Sequence, residues 1–144
     1  MEPILVLRAV IKSPEGILLI QRSKTDSLEP NIWEFPGGKV ETGETIGGSL
    51  RREVREETKI TGTAFGDLKI LKTTVEEMVL EKYQGQKTVK HYIFGSKQRK
   101  PEVVLSDEHR GFRWVKNLSD LASLNLNADV LEILQTLFNQ KGAV

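Results

Sequence analysis

Cysteine is absent from the 144 residues of this chain. That excludes disulfides, thiolate zinc sites, iron–sulfur clusters and a cysteine nucleophile. Histidine is almost as scarce: His91 and His109 are the two present, and neither begins a His-Glu-x-x-His pair. A two-histidine zinc site on one helix is therefore ruled out, and each histidine alone reads as structural or exposed. Charge of one sign is lacking too. Lys and Arg number 21 against 20 Asp and Glu, a formal net charge of +1, so nothing marks the chain for a nucleic acid polymer or an anionic membrane. No run approaches the ~20 apolar residues of a membrane span. The start, Met1-Glu2-Pro3-Ile4-Leu5-Val6-Leu7-Arg8, carries an acid where a signal peptide wants a base. A cytoplasmic protein is the expectation. Also missing are the P-loop, a Gly-x-Gly-x-x-Gly opening a helix, and the Gly-x-Ser-x-Gly elbow.

What is present is an ordinary globular composition, 38% hydrophobic and 28% charged. With no repeat, low-complexity tract or linker, one domain over 1–144 is expected. Residues 4–11 and 17–22 are apolar runs joined by Ser13-Pro14-Glu15-Gly16, which predicts a hairpin over a type I turn. Residues 23–31 read as loop, and Trp33 to Val40 as short extended pieces around Pro-Gly-Gly. The spacing of Ile46, Leu50 and Val54 predicts a helix over 45–58. Strands are expected over 64–80, 88–95 and 112–115, with a turn at Gln84-Gly85-Gln86 and a charged loop over 97–107. Val130, Ile133, Leu134, Leu137 and Phe138 place an amphipathic helix over 129–139. Strands alternating with two separated helices predict an α/β sandwich, a mixed sheet covered by helices.

The informative stretch runs from Glu41 to Glu57. On a wheel of about 100° per residue with Ile46 at zero, Leu50 and Val54 form the buried stripe at roughly 40° and roughly 80°. Glu53 falls at about 340°, Glu57 at about 20° and Glu56 at about 280°. The acids therefore sit at the edge of the core, and the i, i+3, i+4 spacing brings them toward one point. Clustered carboxylates resist desolvation and repel one another. A hard divalent cation such as Mg²⁺ relieves both, and keeps water positions open to a phosphate. Glu–Arg pairing along a solvated helix accounts for part of the same spacing.

The wider pattern Gly38, Glu44, Arg52, Glu53, Val54, Glu56, Glu57, Ile60 closely resembles the Nudix box, the signature of the Nudix hydrolases, here over 38–60. Eight fixed positions match by chance on the order of 10⁻⁸ per start point. The preceding Trp33-Glu34-Phe35-Pro36-Gly37-Gly38-Lys39 is similar to the MutT-like branch. The resemblance implies an α/β/α sandwich that hydrolyses nucleoside diphosphates linked to another group, using Mg²⁺ or Mn²⁺. It makes Glu53, Glu56 and Glu57 metal ligands, with the Gly38 carbonyl a further candidate. Glu44 and Arg52 would orient the ligand carboxylates by charge-assisted hydrogen bonds. Glu53, Glu56 and Glu108 are the candidates for general base.

Two features depart from the family. Lys59 stands where a Gly usually ends the helix in a left-handed turn, so the helix is expected to run on toward Gly62. Gly47 and Gly48 at the helix start predict an irregular first turn. The ADP-ribose branch often has a proline downstream of the box and the diadenosine branch a tyrosine; Thr74-Val75-Glu76-Glu77-Met78 has neither. A MutT-like nucleoside triphosphate pyrophosphatase is thus expected, releasing a nucleoside monophosphate and pyrophosphate, with oxidised dGTP one substrate among several. Alternatives are an ADP-ribose or nucleotide-sugar pyrophosphatase and a catalytically dead nucleotide sensor. The partner is a small nucleotide. Arg22 and Lys39 are candidate phosphate contacts, and Phe35, with Trp33, a candidate for a base pocket. Asn127 is a candidate purine reader, although capping of the last helix is the favoured reading of it. Trp114 reads as packing.

Overall fold

A computed structural model describes residues 2–26, 29–77 and 85–140. Its strands are β1 (Ile4–Ser13), β2 (Gly16–Arg22), β3 (Trp33–Glu34), β4 (Gly37–Lys39), β5 (Ile70–Glu77), β6 (Lys87–Ser96) and β7 (His109–Val115); its helices are α1 (Ile46–Thr58) and α2 (Ala128–Asn139). Pro14 and Glu15 form the tip of the β1–β2 hairpin, where the Ser13 hydroxyl accepts the Glu15 N–H at 3.1 Å. The two strands pair only at Lys12–Ile17 and Ser13–Gly16, then part. Beyond that point β1 takes β4 on the edge it had offered to β2, and β2 takes β3. The segment Phe35-Pro36 crosses the gap between them, and the Ala9 N–H donates to the Pro36 carbonyl at 2.6 Å. On its other edge β1 runs parallel to β6, with β5 beyond; β7 lies on the far edge of β2. This parting of two strands in mid-sheet creates the site described below.

Alternation along β1 sends Leu7, Ala9 and Ile11 to one face and Val10 to the other. Leu50 and Val54 of α1 pack on the first face, and Val130, Ile133, Leu134 and Leu137 of α2 on the second. The expected α/β/α sandwich with a mixed sheet is thus what the chain forms. No helix among the described residues is long and apolar enough to cross a membrane.

Three local expectations are corrected. The strand expected from residue 64 begins at Ile70, because Gly66 and Leu68 take positive φ (54° and 58°) and turn the chain first. Its end at 78–80, and Gln84 of the expected turn, lie outside the described residues. The first turn of α1 is regular despite its glycines, since the Thr45 hydroxyl caps it by accepting the Gly48 N–H at 3.0 Å. Nor does α1 continue toward Gly62. Lys59 adopts the left-handed conformation at φ 63°, with its N–H on the Arg55 carbonyl, and Ile60 turns into the core on the α1 side. Burial of Ile60 outweighs the roughly 1 kcal/mol that a left-handed lysine costs. Lys59→Gly is therefore expected to stabilise by about 0.5–1 kcal/mol, raising the melting temperature by about 2–4 °C. A circular-dichroism melt checks this; an unchanged or lower midpoint contradicts it.

Candidate active site

Where β1 and β2 part, a pocket of about 190 Å³ opens. Glu53 and Glu57 enter it from α1, Arg8 from β1, Arg22 from β2, Glu34 from β3, and Glu108 and His109 from the start of β7. A larger groove of about 260 Å³ lies between β5 and α2. Its Lys72 is already paired with Asp129 and Glu132, whereas the smaller opening gathers charged or titratable side chains from five elements.

Glu57 is buried, only 8% exposed. Its Oε1 accepts the Gly37 N–H at 2.7 Å, and its Oε2 lies 3.6 Å from His109 Nε2. No lysine or arginine among the described residues reaches it as an ion pair. Burial, reinforced by the nearby Glu53 and Glu34 carboxylates, pushes its carboxyl up to about 8. Glu53 is raised as well, chiefly by burial, although Arg52 Nη1 stands 3.0 Å away. Burial also lowers His109, keeping the ring neutral near pH 7, with Nδ1 3.2 Å from the Ser106 hydroxyl.

Arg52 organises the outer side of the site. Its Nε and Nη2 bind the Glu44 carboxylate as a fork at 2.6 and 2.9 Å, and Nη2 donates to the Lys39 carbonyl. Those bonds, with the Glu41 N–H, hold Glu44 at about 2. The same guanidinium draws Glu56 to 3.2 Å. This corrects the expected convergence. Glu53 and Glu57 face the opening, but Glu56 is 56% exposed and turned to Arg52, and no three His, Asp or Glu side chains among the described residues form a ready-made cluster.

The remaining expected residues divide. Arg22 lines the pocket, where Glu34 holds it by a fork at 2.8 and 2.9 Å. Glu108 lines it too, and its carbonyl accepts the Ser23 N–H. Lys39 lies on β4 outside the pocket lining. Phe35 is fully buried, edge-on to Tyr92 with centroids 5.9 Å apart. It belongs to the core and cannot line a base pocket, because every face of the ring is spent on packing. Asn127 caps α2, its Oδ1 accepting the Val130 N–H at 2.9 Å, so that oxygen is already engaged. Trp33 is half-buried, with the Arg113 guanidinium 5.7 Å from its ring. Trp114 packs against the α1-side core. Arg8, Glu34 and His109 were not foreseen as site residues. The available signals were the single charge of Arg8 in an apolar run and the adjacency of His109 to Glu108.

The donor set suits a divalent cation. Glu53 and Glu57 offer it carboxylate oxygen, Glu57 is buried without a lysine or arginine ion-pair partner among the described residues, and Gly38 leaves room for the Glu53 carboxylate, from which an added Cβ would stand 2.5 Å.

The NUDIX domain model matches residues 4–137. The chain therefore belongs to the Nudix family of hydrolases. It is 33% identical over 125 residues to the nucleoside triphosphatase NudI of Escherichia fergusonii, covering 82% of this chain and 84% of that one. Against NudI of Escherichia coli it is 31% identical over 133 residues, covering 88% and 90%. Among solved structures, the MutT protein from Methanosarcina mazei Go1 superposes with a TM-score of 0.76 at 28% identity, covering 94% of this chain and 93% of that one. The E. coli ORF135 protein gives 0.73 at 25%, covering 100% and 96%.

Proposed function

We propose that this protein is a Mg²⁺-dependent nucleoside triphosphate pyrophosphohydrolase, releasing a nucleoside monophosphate and pyrophosphate, with oxidised dGTP within its range. The observation that carries the reading is the pair Glu53 and Glu57, held by Arg52 and the Gly37 N–H at an opening that a phosphate chain can enter. The likeness to nucleoside triphosphatases supports the choice of substrate. Glu53 and Glu57, with Glu56 and the Gly38 carbonyl, would hold Mg²⁺ or Mn²⁺. Bound there, the ion would polarise the phosphate oxygens and make water a better nucleophile.

The chain's own residues do the rest. Glu44 fixes Arg52, and Arg52 fixes Glu53, so the carboxylate does not reorganise as charge develops. Arg22 presents guanidinium hydrogens at the pocket wall for a phosphate oxygen. Glu108, at the rim, takes the proton of the attacking water, with Glu53 and Glu56 the other candidates for that step. The substrate is a free nucleotide, and the protein is expected to act in the cytoplasm.

The test is a substrate panel with Mg²⁺, comprising the common (d)NTPs, oxidised dGTP and ADP-ribose, scored for pyrophosphate against orthophosphate. Pyrophosphate and monophosphate from triphosphates, abolished by EDTA, are expected. Orthophosphate release, or ADP-ribose cleaved fastest, would overturn the reading.

A further inference from the structure

Arg8 is the one charged side chain in the run Ile4–Ile11, and it is buried. Its Nη1 lies 3.3 Å from both the Phe35 and Gly37 carbonyls and 3.2 Å from Glu34 Oε1. Glu34 already has a full fork from Arg22. Meanwhile Arg8 Nε has no hydrogen-bond partner among the described residues. A buried guanidinium with an orphaned donor is a poor source of stability; an apolar side chain of similar length would serve as well or better.

What Arg8 does supply is geometry. It grips the two carbonyls that flank Pro36, the residue spanning the gap between the parted strands. The same backbone carries the N–H that holds Glu57 at 2.7 Å, and the Gly38 against which the Glu53 carboxylate lies. One guanidinium therefore adds a side-chain grip to the β1–β4 pairing and the Ala9–Pro36 bond that hold the segment on which both carboxylates rest.

We propose that Arg8 is a positioning residue for the cation site, acting through the backbone of Gly37 and Gly38 rather than by touching substrate. This rests on the reading of Glu53 and Glu57 as cation ligands. The test uses full-length Arg8→Met and Arg8→Lys beside wild type. Three quantities are read: Mn²⁺ affinity without nucleotide by electron paramagnetic resonance, the melting temperature, and kcat and KM as functions of Mg²⁺.

Arg8→Met is expected to melt within a few degrees of wild type or above it, while Mn²⁺ binding weakens about 10-fold or more, the size found for residues that orient metal ligands. The Mg²⁺ needed for half-maximal rate rises in parallel, and kcat at saturating Mg²⁺ stays within about threefold. Arg8→Lys keeps the charge but not the planar guanidinium whose Nη1 meets both carbonyls, and falls in between; it carries the same readout should Arg8→Met not fold. Mn²⁺ affinity equal to wild type in either folded variant overturns the proposal, whether or not the melting temperature drops. So does tighter Mn²⁺ binding, which would mean that Arg8 acts by charge repulsion. If wild type itself binds no Mn²⁺, the proposed function falls and this inference with it; if only the variants fail to differ, this inference falls alone.

Discussion

Glu57→Gln is expected to abolish turnover, by about three orders of magnitude or more, while the protein becomes more resistant to heat at alkaline pH. The two effects share one cause. A bound divalent ion contributes several kcal/mol to phosphoryl chemistry, and each step of about 1.4 kcal/mol is tenfold in rate. Glutamine preserves the acceptor for the Gly37 N–H but removes the charge that the ion needs. The folded chain holds the Glu57 proton up to about pH 8, whereas the ordinary carboxyl releases it near 4.5. Between those values the folded state binds more proton than the unfolded state. The stability of metal-free wild type therefore falls as pH rises through this window, by at most about 1.4 kcal/mol per unit from this group. Glu57→Gln flattens that slope and melts above metal-free wild type near pH 8. Added Mg²⁺ raises the wild-type midpoint there and leaves the variant nearly unmoved. Thermal melts from pH 5 to 8.5, with and without Mg²⁺, check every part. A variant that keeps a tenth of wild-type turnover would remove Glu57 from the chemistry.

Gly38→Ala is expected to give a folded protein with turnover reduced on the order of 10²-fold. The added Cβ would lie 2.5 Å from the Glu53 carboxylate, and the mobile end of that side chain has to give way. Displacing a catalytic group by about 1 Å costs about two orders of magnitude. Gly37→Ala behaves differently. Its Cβ would meet the Leu7 carbonyl at 1.9 Å, and that atom belongs to the backbone of β1, which cannot move without breaking its pairing with β4. Little folded Gly37→Ala protein is expected. Circular dichroism and turnover measured on the same preparations separate the two outcomes. A Gly38→Ala enzyme within threefold of wild type would show that Glu53 need not stand where it does.

The acidic helix was legible because its information is local. A period of 3.6 residues relates Leu50 and Val54 to Glu53 and Glu57 within four turns of chain, so the wheel alone placed the acids at the core edge. Asn127 as a cap follows from the same short-range chemistry, whereas Thr45, expected inside the helix, proved to be the cap of α1. Glu56 shows where the wheel stops. It gives a direction for Cβ but not which neighbour the carboxylate will choose, and Arg52 was the stronger attraction. Lys59 is a similar case, since a left-handed lysine is unfavourable until the burial of Ile60 is counted.

By itself the sequence determined the acid pair, the helix that carries it, the two apolar helix faces and the family to which the box belongs. Only the tertiary structure decided that β1 runs parallel to a strand some eighty positions later, and that β1 and β2 separate to admit Pro36. It also brought Arg8, Glu34 and His109 to the same opening as Glu57. Strand pairing across such distances depends on how whole faces bury together and on loop entropy shared by the entire chain. No short window of residues contains that balance, so the partners of the acids became visible only once the sheet was assembled.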